Sequence, residues 1–300
     1  MIFRARIKYL KRRTKNLIMK FFPDFRINTF EDEKFLTYVY KKRLGIFRCA
    51  DQIENLALRG SGADYDFLDQ TNGPSYNLGL TSTDLHATYH LYKNSTNILP
   101  KLRNIIVFFV PIATGLDLTK TREKYRYVAY SHYFNIPYQC TQDISKRVER
   151  RIIKKCKSLA VPNVPDSYRG YDEKKYLGSN TDVVKRAKAH LRENQREPDQ
   201  MRWLNKMIEL ADQLGHRIWI VIPPVRSDFK NELPKSEILY SKLYDLDIGH
   251  HTILNFYDDN RFDDSDMGDT DHLNESGAKK ITAEIMTSIQ SENYLCHHVD

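Results

Sequence analysis

From the amino end, apolar and polar positions first follow a helical period. Phe3, Ile7, Leu10, Leu17, Ile18 and Phe21 fall on one stripe, Lys and Arg occupy most other positions, and Pro23 ends the pattern. A second helical stretch covers 31–42, with Phe35, Tyr38 and Val39 on its apolar side. The period then changes. Ile53-Glu54-Asn55-Leu56-Ala57-Leu58 is a short apolar run stopped by Arg59-Gly60-Ser61-Gly62, which predicts a strand and a tight turn. A second short strand is expected over 75–80, after which Ser82-Thr83-Asp84 offers N-cap chemistry for a helix reaching about Tyr92. Residues 104–110 read NIIVFFV, apolar on both faces, as a central strand with helices on either side requires.

Residues 201–215 form an amphipathic pattern closed by Gly215, and 216–223 read as another buried strand. A helix over 236–244, a weak strand over 252–256 and a last helix from Asn274 or Glu275 to about Ser291 complete the series. Alternating strands and helices predict an α/β fold, a three-layer α/β/α sandwich on a mostly parallel, flavodoxin-like five-stranded sheet with a helical insertion. The expected division is a basic amphipathic helix (1–26), a helical connector (27–45), the α/β domain (46–292, insertion about 112–200) and a tail (293–300). The insertion holds a basic helix (142–159), a Pro/Tyr-rich passage (161–176) and a helix near 181–192, and is expected to wall the strand ends. Its tyrosines either stack on a sugar or pack the insertion onto the body, and packing is the commoner use.

Composition narrows the class. With 300 residues, 41% hydrophobic and 12% aromatic, the chain can fill a core, which excludes a wholly disordered protein. No run approaches the ~20 apolar residues of a membrane span, and neither a spanning helix nor a signal core is expected. Cys49, Cys140, Cys156 and Cys296 are scattered, which fits free thiols better than a disulfide framework or a zinc site. Neither cofactor nor metal is expected, and the expected location is cytoplasmic.

Charge is informative by position. Residues 1–26 carry nine Lys/Arg against one acid, so this segment holds the whole net charge of +8 and the rest of the chain balances. A nucleic-acid-binding fold spreads positive charge over its face, so nucleic acid is not an expected partner. A basic helix with Phe3, Phe21 and Phe22 can lie on an anionic membrane surface, each nearby cation adding ~1 kcal/mol, here at the inner face. The same helix could instead dock on the body.

Three short blocks could carry chemistry. In Asp269-Thr270-Asp271-His272, a carboxylate three residues before a histidine can hold Nδ1 and aim Nε2 at a nucleophile. With seven aspartates in 258–271, such spacing also arises by chance. Asp271 is a rival partner, although in an extended turn a residue adjacent to His272 points elsewhere. Ser61 between glycines ends the first core strand, at the edge where open α/β sheets place their sites. Gly79, after the second strand, has no side chain to hinder an oxyanion. Arg59, Asn77 and Arg226 are weaker candidates for binding substrate.

The order of these blocks resembles the SGNH (GDSL-like) hydrolase superfamily, over roughly residues 50–290, and DHLNESGAKKIT is similar to its bacterial polysaccharide-modifying branches. The resemblance implies Ser61 as nucleophile, Ser61 and Gly79 as oxyanion donors, and His272 with Asp269 as the base pair. It further implies an esterase or O-acyltransferase acting on a carbohydrate or other acyl ester, with acetyl on a glycan or lipid-linked glycan the expected group. Two departures stand out: Arg59-Gly60-Ser61 replaces the usual Gly-Asp-Ser, and Val110-Pro111-Ile112-Ala113 replaces the third-block Gly-x-Asn. The alternative is a catalytically inactive glycan-binding or scaffold module at the membrane surface.

Overall fold

The computed structural model describes residues 32–69, 73–139, 144–172, 174, 176 and 182–296, with side chains as far as 292. The basic segment 1–26, Cys140 and residues 297–300 of the tail lie outside the described residues, and 293–296 continue the last helix. Five strands form one all-parallel sheet in the order β2-β1-β3-β4-β5: β1 (Asn55–Leu58), β2 (Ser75–Asn77), β3 (Asn104–Phe108), β4 (Arg217–Ile222) and β5 (Thr252–Asn255). The chain starts near the middle, runs to one edge and returns past its start to the other, which is the flavodoxin-like order. The helices are α1 (Glu33–Arg48), α2 (Gly60–Asp66), α3 (Leu85–Ser95), α4 (Arg126–Phe134), α5 (Lys146–Ser158), α6 (Val183–Asn194), α7 (Met201–Leu214), the single turns α8 (Ser227–Lys230), α9 (Ser236–Leu239) and α10 (Ser241–Tyr244), and α11 (Glu275–Cys296).

The apolar strand runs are explained by two covered faces. Leu56, Leu58, Ile105, Val107, Ile218, Ile220 and Ile222 enter one core, where α1, α3, α4 and α7 pack. The alternate residues Ala57, Ile106, Phe108, Trp219 and Val221 enter a second core against Ala63 of α2 and Ala278, Ile281, Ile285 and Ile289 of α11. Each buried Leu, Ile, Val or Phe contributes about 1.5–3 kcal/mol, so neither face tolerates a register slip.

Three elements differ from expectation, the first being the tight turn expected at 59–62, which opens helix α2 (Gly60–Asp66). The stretch read as a connector is a core helix: Leu36, Val39 and Ile46 of α1 are buried, and so is Lys42. Helix α4 is absent from the sequence reading because its buried stripe is tyrosine rather than aliphatic. Tyr127 donates to Asp84 Oδ1 and Tyr130 to Thr81 O, so these rings pack the insertion onto the body. Elsewhere local chemistry fits: Asp84 caps α3 through Ala87 N–H, and Gly215 closes α7 at φ +67°. Cys49 and Cys156 are free and buried. Among the described residues no helix is long and apolar enough to cross a membrane.

Candidate active site

Beyond β1 the chain turns sharply into α2. Arg59 has φ +89°, unusual for a residue with a side chain, and Gly60 follows at φ +60°, its N–H held by Thr83 Oγ1 at 2.7 Å. Ser61 therefore stands in the first turn of α2, at the carboxyl edge of the sheet, half-buried. Among the described residues its hydroxyl has no hydrogen-bond partner.

The turn before α11 reaches the same helix. Asp269 Oδ1 accepts the N–H groups of Asp271 (3.1 Å) and His272 (3.0 Å), which fixes the turn. The same carboxylate meets His272 Nδ1 at 2.9 and 3.1 Å. Asp269, not Asp271, is thus the main partner of the imidazole. Asp271 lies 3.9 Å from Nδ1 and is taken by Arg186, whose Nε and Nη2 reach its two oxygens at 2.5 and 2.8 Å. With Nδ1 so held, Nε2 of His272 is left to face a reacting group, and no hydrogen bond occupies it among the described residues.

Two contacts join the histidine turn to the serine helix. Leu273 N–H donates to Asp66 Oδ1 at 2.8 Å, and the Tyr65 and His272 rings lie 4.5 Å apart. Ser61 lies one helical turn before Tyr65, about 6 Å along the axis. The fold brings Ser61, Asp269 and His272 to one edge, but no Ser61–His272 hydrogen bond is formed.

Electrostatics favours a charged imidazole. Burial opposes the charge of His272, but Asp271, and Asp269 by hydrogen bond and charge, outweigh it and raise the ring to about 9. Burial works against the Asp269 carboxylate as well, yet the His272 bond and charge hold it below its usual range. Asp66 is pushed well above the usual carboxylate range, chiefly by burial.

The remaining candidates take other places. Asn77 donates to the carbonyls of Ala63 and Phe67, both at 2.7 Å, and accepts from Gly79 N–H at 2.9 Å. It stitches β2 to α2. The N–H assigned to an oxyanion at Gly79 is therefore directed at Asn77, and the glycine is needed for packing: a Cβ there would stand 2.3 Å from Asp64 N. Arg226 is tied to Asp228 by two bonds of 2.7 and 2.8 Å. Arg59 is buried, with Nη1 donating to Phe108 O at 3.1 Å.

Sequence reasoning missed Tyr65, Arg186 and His190. The last two project from α6, four residues apart on one face, and His190 Nε2 lies 3.5 Å from Asp271. Their i, i+4 spacing was visible, but not the partner 85 residues away. Asp269, Asp271 and His272 have donor atoms close enough for a metal ion, yet Arg186 and the imidazole already take the carboxylates, which is the chemistry of an oriented base. No family model, curated protein or solved structure matches the chain.

Proposed function

We propose that the protein is a serine-dependent acyl-ester enzyme, an esterase or O-acyltransferase of SGNH type, using Ser61, His272 and Asp269. The observation that carries this reading is the buried Asp269–His272 pair, fixed at the carboxyl edge against the helix that bears Ser61. His272 Nε2 takes the hydroxyl proton as Ser61 Oγ bonds to the ester carbonyl carbon. The tetrahedral adduct collapses, and the leaving alkoxide receives that proton from the imidazolium. Water or a sugar hydroxyl then repeats the sequence in reverse, releasing the acyl group as acid or as a new ester. Acetyl on a glycan or lipid-linked glycan is the substrate class implied by the resemblance.

Reaction with a fluorophosphonate tests this. Wild-type protein is expected to label covalently and Ser61→Ala not to; equal labelling of both would sink it. The occupied Gly79 N–H favours a second reading, a scaffold or glycan-binding module with the same fold, for which neither protein labels. The basic segment 1–26 supports a peripheral place at the inner membrane face, in a cytoplasmic protein. A chain beginning at Asn28 is then expected to keep its ester turnover and to lose sedimentation with anionic vesicles; equal sedimentation would refute that assignment.

A further inference from the structure

The residue two places before Ser61 is arranged at a cost the fold does not recover. Arg59 is 1% exposed, yet its Nε and Nη2 have no partner. Its one hydrogen bond, from Nη1 to Phe108 O, fixes the guanidinium at the end of β3. No carboxylate pairs with it among the described residues. The acid that most affects it, Asp84, is committed to Ala87 N–H, Leu118 N–H and Tyr127 Oη, each at 2.8 Å. Burial lowers the guanidinium to about 10, so it stays charged at neutral pH. The same residue holds the positive φ of the turn. An unpaired buried charge and an unfavoured backbone at one position mark a place kept for something other than stability.

A neighbour lacks a partner as well. Tyr240 is fully buried with its hydroxyl unpaired, and its ring packs 6.2 Å from that of Phe109, above which the Arg59 guanidinium lies at 5.8 Å. Arg59 and Tyr240 thus present hydrogen-bonding atoms without protein partners against one ring, Arg59 standing in the turn that leads to Ser61.

We propose that Arg59, with Tyr240, forms a subsite for an anionic oxygen group of the substrate, a carboxylate or a phosphate. A planar fork with free Nε–H and Nη2–H groups matches such a group, and the tyrosine hydroxyl can donate to a further oxygen. The ligand anion would supply the missing counter-charge. The subsite rests on the acyl-ester reading only in making the anion part of the substrate, an acidic or phosphorylated glycan; anion binding itself does not depend on it.

Thermal unfolding of the full chain in phosphate, in acetate, and in chloride at equal ionic strength tests this. Phosphate or acetate is expected to raise the midpoint saturably over chloride, and the larger response identifies the group. Arg59→Met is expected to abolish the response, and Tyr240→Phe to weaken it about tenfold for one charge-assisted bond lost. If Arg59→Met does not fold, Arg59→Lys keeps the charge without the fork and should weaken the anion by a similar factor. No saturable response in wild type, or one unchanged in whichever Arg59 variant folds, overturns the subsite. Ser61→Ala should keep the response. Anion binding without fluorophosphonate labelling would refute the ester reading and leave the subsite standing.

Discussion

Two clusters of histidine and aspartate lie at opposite edges of the sheet. At the amino edge Asp212, of α7, faces His250 Nδ1 and His251 Nε2, both at 3.4 Å. At the carboxyl edge Asp269 and Asp271 face His272. The residue types match, but the ring nitrogens do not. Ile218 N–H donates to His251 Nδ1, so the neutral ring carries its proton on Nε2 and has no lone pair to offer there. At His272 the Asp269 carboxylate takes the Nδ1 hydrogen, leaving the Nε2 lone pair to accept one. The environments differ too: Asp212 is 52% exposed, whereas the Asp269 side chain is 2% exposed. Two carboxylates outweigh burial and raise His272 to about 9, while burial lowers His251. Residue types bring an acid and an imidazole together at either edge. The hydrogen bond to the second ring nitrogen decides whether the pair can act as a base.

The largest expected effect separates the two edges by turnover. His272→Ala and Ser61→Ala should each reduce hydrolysis of a short-chain aryl ester about 10³-fold or more, and the double variant little further, since they act as a unit. His251→Ala should leave kcat within about twofold once the folded fraction is allowed for. Equal losses at the two edges would erase the distinction.

These two edges were not equally legible. Apolar runs gave four of the five strands to within about two residues, because a strand covered on both faces has no polar positions to blur it. The pairing of Asp269 with His272 was readable from local spacing, since a turn three residues long closes it. The fate of the Gly79 N–H was not, because Asn77 can bond its own neighbour two residues on or reach outward with the same side chain. Nor were Arg186 and His190, whose roles depend on where the insertion comes down on the sheet. Arg59 looked like a departure from a motif, and only its burial shows two of its nitrogens without partners.

Stability should respond to pH in opposite senses at the two edges. His272 has a folded value near 9, above its ordinary 6.5. Its charged form therefore contributes about 3 kcal/mol, fully present below pH 6.5 and lost as pH rises through 9. His251 is lowered, so its contribution is present above its unfolded value and lost as pH falls. Urea unfolding of wild type, His272→Gln and His251→Gln from pH 5 to 9.5 measures both. The gap to His272→Gln should shrink toward alkaline pH and the gap to His251→Gln toward acid. Parallel slopes would contradict the two environments.

A finer effect lies within the carboxyl edge. If neutral His272 is the base, kcat/KM should climb with pH and level off near 9. Asp271→Asn removes the largest influence raising that value, so the inflection should move to lower pH. Asp269→Asn should instead lower the plateau, because the ring loses the acceptor that fixes its tautomer. An inflection unmoved by Asp271→Asn would mean that another group sets the profile.

The smallest effect belongs to Asp212. Its contacts to His250 and His251, 3.4 Å each, are longer than a good N–H···O bond, and more than half of the side chain meets water. Exposed pairs contribute about 0–1 kcal/mol, because water screens the attraction and two side chains must be held in place to make it. Salt screens it further, over a Debye length of about 8 Å at physiological ionic strength. Asp212→Asn should thus lower unfolding stability by about 0.5 kcal/mol at low salt, less at 0.5 M, and leave ester turnover unchanged. The buried Asp269 carboxylate accepts two backbone N–H groups and the imidazole, so Asp269→Asn should cost several times more, largely independent of salt. If Asp212→Asn matched Asp269→Asn in size and in salt response, burial would not be what separates the two edges, and the histidine at the carboxyl edge would lose its physical claim to be the base.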